Sequence, residues 1–239
     1  KLLCFMRALY PQSKKASLKN GPEYFLKDFS IKLEDLYKSL TVLNKHKSTF
    51  VARMHRELKA RYARQTDILY YDVTNYFFEI DQPDEFRIKG CSKEHRPLPI
   101  VQMGLFMDSQ GLPVDFYLYE GNKPDCTTLK PSFEQVKKNY KADKVIVTAD
   151  KGLNSESNLG YLLSHGNGYI VSQRIRGAKK DLRDEVLKDD GWLGAEGASF
   201  EMKEFTRTIT VTYPDKSKHE HKQKVLCLWS EKYQSKEKQ

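Results

Sequence analysis

Two aspartates carry the chemistry this sequence suggests. Asp72 stands in the middle of Ile68-Leu69-Tyr70-Tyr71-Asp72-Val73-Thr74-Asn75-Tyr76-Phe77-Phe78-Glu79, an aromatic and β-branched run with the composition of a central strand. A carboxylate inside a strand core is costly unless it is paired, protonated or coordinated. The sequence therefore predicts a buried Asp72 with a partner, and a metal ion with a second acid would satisfy it. Asp150 supplies that acid at the end of Lys144-Val145-Ile146-Val147-Thr148-Ala149-Asp150, a continuous apolar run expected to form a fully buried strand. Hard carboxylate oxygens suit Mg²⁺ or Mn²⁺. Two such ions can activate a water or hydroxyl and stabilise the leaving oxygen in phosphodiester cleavage. They would also keep both acids ionised.

The elements around these residues must bring them together. After residues 68–79, a second strand is predicted from Pro97 to Met107, a turn at Asp108-Ser109-Gln110-Gly111, and a third strand from Leu112 to Tyr119. The loop Gly121-Asn122-Lys123-Pro124-Asp125 follows. A helix capped by Asp125 or Thr127 then runs to about Tyr140, with Leu129, Phe133 and Val136 facing inward. The Asp150 strand comes next, followed by a helix opened by Ser155 or Ser157, a strand at Tyr169-Ile170-Val171-Ser172 and a charged helix near residues 178–187. This β-β-β-α-β-α-β order allows Asp72 and Asp150 to lie on adjacent strands facing one point. Beyond the Gly-rich stretch 191–197, residues 200–213 and 222–229 alternate as two further strands around Pro214-Asp215.

The N-terminal part has a different character. Residues 1–22 read as an irregular basic entry segment. A helix follows from about Tyr24, with Ser30 available as N-cap and Leu33, Leu36, Leu40 and Leu43 at helical spacing. A second helix is predicted from Ser48 to Arg64, with Met54, Leu58 and Tyr62 forming a core stripe. Residues 1–66 hold 15 Lys/Arg against 5 Asp/Glu, whereas the remainder holds 26 against 27. The excess of +9 thus sits in the first quarter, as expected of a segment that meets a polyanion, although a solvated helix face has the same composition. The chain has 39% hydrophobic and 31% charged residues and no apolar run of bilayer length, which excludes disordered and membrane-spanning classes. Cys4, Cys91, Cys126 and Cys227 lie far apart, arguing against a zinc site or disulfide framework and for a cytoplasmic location.

Five segments in order carry a family resemblance: Tyr71-Asp72-Val73-Thr74-Asn75-Tyr76-Phe77-Phe78-Glu79, Lys89-Gly90-Cys91-Ser92-Lys93-Glu94-His95-Arg96, Gln102-Met103-Gly104-Leu105, Gly121-Asn122-Lys123-Pro124-Asp125 and Ala149-Asp150-Lys151-Gly152-Leu153-Asn154. Together they resemble bacterial insertion-sequence transposases of the cut-and-paste DDE type, in the group with a β-strand insertion before the last catalytic acid. The resemblance implies an α/β, ribonuclease-H-like mixed sheet flanked by helices. It divides the chain into a basic helical region (1–66), an incomplete catalytic core (67–196) and the start of the β insertion (197–239). It also implies two Mg²⁺ or Mn²⁺ ions in the complete protein, double-stranded DNA as partner (element terminal repeats and target), a homodimer of the full-length protein and a nucleoid-associated location.

In the family pattern Asp72 matches the first catalytic Asp and Asp150 the second. The third acid, a Glu in a Tyr-x2-Arg-x3-Glu-x6-Lys helix, is not matched: Tyr233-x2-Lys236 imitates its start, and the chain ends before the Glu position. Glu231 and Glu237 read as surface acids. The expectation is a truncated transposase with two of three ligands and little activity alone. Lys93, Arg96, Asn122 and Lys151 are the candidate DNA contacts; for the loop residues a solvated surface, a turn or a helix cap explains the same composition. His95 and Glu79 read as surface residues, and Trp192 and Trp229 as packing groups or stacking platforms. Two other readings are a nuclease of the same fold and a DNA-binding remnant without catalysis.

Overall fold

The computed structural model describes residues 1–25, 31–90, 97–140, 144–194 and 199–231. The chain forms two compact units, Lys1–Leu58 and Lys59–Gln239.

The first unit is helical from its start. Residues expected to be irregular form α1 (Leu2–Leu9) and α2 (Lys14–Phe25). Leu2 and Met6, one turn apart, bury one side of α1 against Leu36, with Leu3, Leu18, Phe25 and Leu33 around them. This apolar spacing outweighs the Pro and Gly residues read as breakers; Gly21 and Pro22 both lie inside α2. The next helix, α3 (Leu33–Lys45), begins where the Asp35 carboxylate accepts the Lys32 N–H at 3.0 Å. The expected cap, Ser30, lies outside the described residues. The fourth helix, α4 (Lys47–Tyr62), buries no residue. Its predicted core stripe is therefore a surface: Met54 is 61% and Tyr62 63% exposed. Helical spacing creates an apolar stripe, but only a packed neighbour makes it a core.

The second unit is built on a five-stranded mixed sheet: β1 (Ile68–Phe77), β2 (Ile100–Met107), β3 (Pro113–Glu120), β4 (Ile146–Ala149) and β5 (Gly168–Val171), in the order β3-β2-β1-β4-β5. The first three strands pair antiparallel, whereas β4 is parallel to β1 and β5 to β4. This is the expected ribonuclease-H-like mixed sheet. Helices α5 (Leu129–Tyr140) and α6 (Glu156–Ser164) pack against it. Leu129, Phe133 and Val136 face inward as predicted, meeting Leu69, Tyr71, Val73, Phe106 and Val147. A 3₁₀ turn at Asp125–Thr127 precedes α5; there Thr127 Oγ1 donates to the Pro124 carbonyl and Thr128 Oγ1 to the Asp125 carbonyl, each at 2.7 Å. Ser155 does cap α6, accepting the Asn158 N–H at 3.2 Å.

Polar groups pin this core. The Tyr71 hydroxyl donates to Thr128 Oγ1 at 2.8 Å, and burial pushes its pKa up to about 12 despite that bond. Its ring lies over Gly104, where an added Cβ would come within 2.2 Å of the hydroxyl. Arg64 and Asp108 form a buried pair, Nε to Oδ2 at 2.7 Å, each side chain 1% exposed. Arg64 also donates to the carbonyls of Leu112 and Pro113, while Asp108 Oδ1 accepts the N–H groups of Gln110 and Leu112. Asp115 is buried as well. It accepts the hydroxyl of Tyr117 at 2.9 Å, and burial followed by this carboxylate raises the Tyr117 pKa well above its ordinary value.

After α7 (Lys180–Leu187) and β6 (Trp192–Leu193), β7 (Phe200–Thr212) and β8 (Lys218–Ser230) form a long hairpin, and the second sheet runs β6-β7-β8. The hairpin docks on α6, where a Cβ at Gly160 would come within 2.1 Å of the Thr212 carbonyl. Thr212 Oγ1 also donates to Glu156 at 2.7 Å. Lys203, 4% exposed, donates to the carbonyls of Glu185 and Lys188 at the end of α7.

Removing Arg64 would leave Asp108 buried without its counter-charge. Arg64→Met is expected to lower stability by about 3–5 kcal/mol, measurable by urea unfolding.

Candidate active site

The register of β1 with β4 ends at Tyr71 opposite Ala149. Asp72 is the next residue on β1 and Asp150 the first residue beyond the end of β4, so each follows one member of this last pair in the chain. Tyr71 and Ala149 point into the helix-covered core. Strand side chains alternate, which sends Asp72 to the opposite face, while Asp150 is exposed at the start of the turn after β4.

That face corrects two expectations. Asp72 is exposed, not buried, and β4 is half-buried, with Ile146 38% exposed. One reason covers both: α5 and α6 lie on one side of the sheet, and the other side shows Tyr70, Tyr76, Ile146, Leu118 and Ile170 to solvent among the described residues. Composition marked β1 and β4 as strands but did not distinguish strands covered on one face from strands covered on two. The acids that are buried near these strands are Asp108 and Asp115. They are paired with Arg64 and with tyrosine hydroxyls, so burial cost here marks structural acids.

The turn after Asp150 is tightly held. Asp150 Oδ1 accepts the Gly152 N–H at 2.9 Å, a local turn bond that fixes the carboxylate relative to its own backbone. Asn158, 3% exposed, donates to the carbonyls of Leu153 and Cys126 at 2.8 and 2.9 Å. Asn154 reaches across to the Ser172 carbonyl at 3.0 Å and to Gln173 Oε1 at 2.9 Å. These positioning asparagines were not singled out in the sequence. Their signal, two Asn flanking a capping Ser, reads as ordinary helix-start chemistry.

The other predicted residues are less closely grouped. Lys151 is exposed on the Asp150 turn. Asn122 is exposed beyond the end of β3, past the level where Glu120 and Tyr76 both pair with Val101. Asp72 is level with Phe116, so Asn122 lies roughly 20 Å further along at about 3.3 Å per residue. The sheet does not bring it to the acids. Lys93, Arg96 and His95 lie outside the described residues, as do Glu237 and Tyr233. Glu79 and Glu231 are exposed. The Trp192 indole N–H donates to the Lys188 carbonyl at 3.2 Å, and its ring lines a cleft of about 770 Å³ between β4–β5 and the hairpin, with Thr148, Ile170, Leu226 and Leu228.

A small divalent cation keeps several waters and takes one or two protein acids, and Asp72 and Asp150 are both exposed. Among the described residues no group of three or more His, Cys, Asp or Glu side chains converges on a metal position.

No family model and no curated protein matches the chain. Solved structures do. The neighbours are transposases. The chain is similar to a piggyBac transposase in a synaptic complex with hairpin DNA, at TM-score 0.43 and 11% identity over 96% of this chain and 49% of that one. It is also similar to Mos1 transposase in a paired-end complex with the left transposon end, at TM-score 0.32 and 9% identity over 70% and 56%. A pre-cleavage Mos1 transpososome aligns at TM-score 0.32 and 10% identity over 70% and 57%. The chain spans about half the length of these proteins. At these scores the likeness assigns no role to any residue.

Asn158→Ala would leave two carbonyls at the Asp150 turn without their donor. The expected cost is about 1–3 kcal/mol, read as a lowered urea midpoint.

Proposed function

We propose that the chain is part of a metal-dependent DNA transposase of the insertion-sequence DDE type, with Asp72 and Asp150 as its first two catalytic acids. The observation that supports this reading is the β1–β4 register: the two acids matched by the family motifs, 78 positions apart in sequence, each follow a member of its last pair, Tyr71 and Ala149, and both are exposed. The ordered motifs identified in the sequence supply the reaction class.

Mg²⁺ or Mn²⁺ held by Asp72 and Asp150 would supply Lewis-acid stabilisation of charge on the phosphodiester oxygens. The protein's own part is positional. The backbone pairing of β1 with β4 fixes the separation of the two carboxylates. The Gly152 N–H holds the Asp150 carboxylate in one orientation, and Asn158 and Asn154 keep its turn from shifting. A site built from strand ends and a pinned turn is rigid, which is what in-line phosphoryl chemistry requires. The exposed face leaves the acids open to a duplex. DNA ends and target, dimeric assembly and the excess positive charge of residues 1–66 as a backbone grip belong to the same proposal.

The test is Mn²⁺-dependent nicking of supercoiled plasmid. The proposal expects slow nicking, as a site with two of the family's three acids would give, that disappears in both Asp72→Asn and Asp150→Asn, neither of which changes side-chain size. Nicking that survives both substitutions would contradict it.

A further inference from the structure

The second unit is close to neutral in total, but its charge is segregated. From Ser172 to Lys180 the sequence is Ser-Gln-Arg-Ile-Arg-Gly-Ala-Lys-Lys, with four cations, Arg174, Arg176, Lys179 and Lys180, and no acid. All four are exposed. The segment leaves β5, whose last residue, Val171, is level with Ala149 on β4. Because Ala149 is level with Tyr71 on β1, the residues Tyr71, Ala149 and Val171 form one row across three parallel strands, and Asp72, Asp150 and Ser172 follow them in the chain. The basic loop therefore starts where the acids stand.

Its start is also anchored. The Ser172 N–H donates to the Ala149 carbonyl at 3.4 Å, and Asn154 holds both the Ser172 carbonyl and Gln173 Oε1. Gln173 in turn donates to the Arg174 carbonyl at 3.2 Å. Of the three acids on α7, Asp181 faces Arg207 at 3.4 Å and Glu185 holds Lys188 at 2.6 Å. Four cations on an anchored loop next to an acidic site is an arrangement that serves a polyanion, since the site's own carboxylates would otherwise repel it.

Resting on the transposase reading above, we propose that loop 173–180 grips the DNA backbone and presents it to the Asp72–Asp150 pair. It would be a phosphate contact separate from the basic N-terminal region. Each neutralised phosphate releases counterions, so its loss is visible in the salt dependence of binding.

The experiment is fluorescence anisotropy with a labelled DNA duplex in EDTA, where no cleavage occurs, over a salt series. The variant Arg174→Gln/Arg176→Gln/Lys179→Gln/Lys180→Gln is compared with the unaltered chain, with circular dichroism confirming the fold. Removing four phosphate contacts lowers the slope of log affinity against log salt by about 3–4. Arg174→Lys/Arg176→Lys, which keeps the charge, leaves the slope unchanged. A slope that falls by less than about one in the quadruple variant overturns the proposal and returns the loop to a solvated surface. The catalytic reading fails separately: Asp72→Asn and Asp150→Asn would then leave nicking intact whatever the loop does to binding.

Discussion

The two-residue period of β1 is the constraint on which the rest of the second unit depends. It places Leu69, Tyr71 and Val73 under α5 and α6 and turns Tyr70, Asp72 and Thr74 to the other side. A slip of one residue would bury Asp72 and expose Tyr71. Tyr71 makes such a slip costly. Its ring fills the space over Gly104 and its hydroxyl binds Thr128, so only one register satisfies both its volume and its polarity. The same register, carried across to β4, pairs Tyr71 with Ala149, the residue before Asp150.

The remaining parts serve this arrangement. Arg64 and Asp108 lock the entrance to β1 against the β2–β3 turn. Asn158 and Asn154 lock the turn behind Asp150 to its surroundings. The hairpin β7–β8 is joined to β5 by Gln223, which donates to Tyr169 at 2.9 Å, and borders the cleft beside the open face. Each of these is a polar contact made where apolar packing alone would leave a strand end free to shift.

Much of this was legible in the sequence because it is local. The strand and helix order, the inward residues Leu129, Phe133 and Val136, the Ser155 cap and the two long terminal strands follow from periodicity and turn residues. What was not legible depends on neighbours. Leu2 and Met6 of α1 are buried because Leu36 packs against them. Met54 and Tyr62 look like core residues until it is seen that nothing among the described residues covers them. Asp72 drew notice as an acid of high burial cost, yet it is exposed. The conclusion about its site rests on register instead, and Asp108 and Asp115 carry the burial cost. The basic run at 174–180 was hidden by averaging charge over the whole second unit, and only the sheet order places it beside the acids.

The central claim is that two surface carboxylates, one on β1 and one just beyond β4, act as one metal-binding unit. Titrating the chain with Mn²⁺ and following free ion by electron paramagnetic resonance tests it most directly. The account predicts a bound ion that is lost in Asp72→Asn and equally in Asp150→Asn, with the unfolding midpoint of each variant unchanged. Mn²⁺ binding that persists in either variant would contradict it.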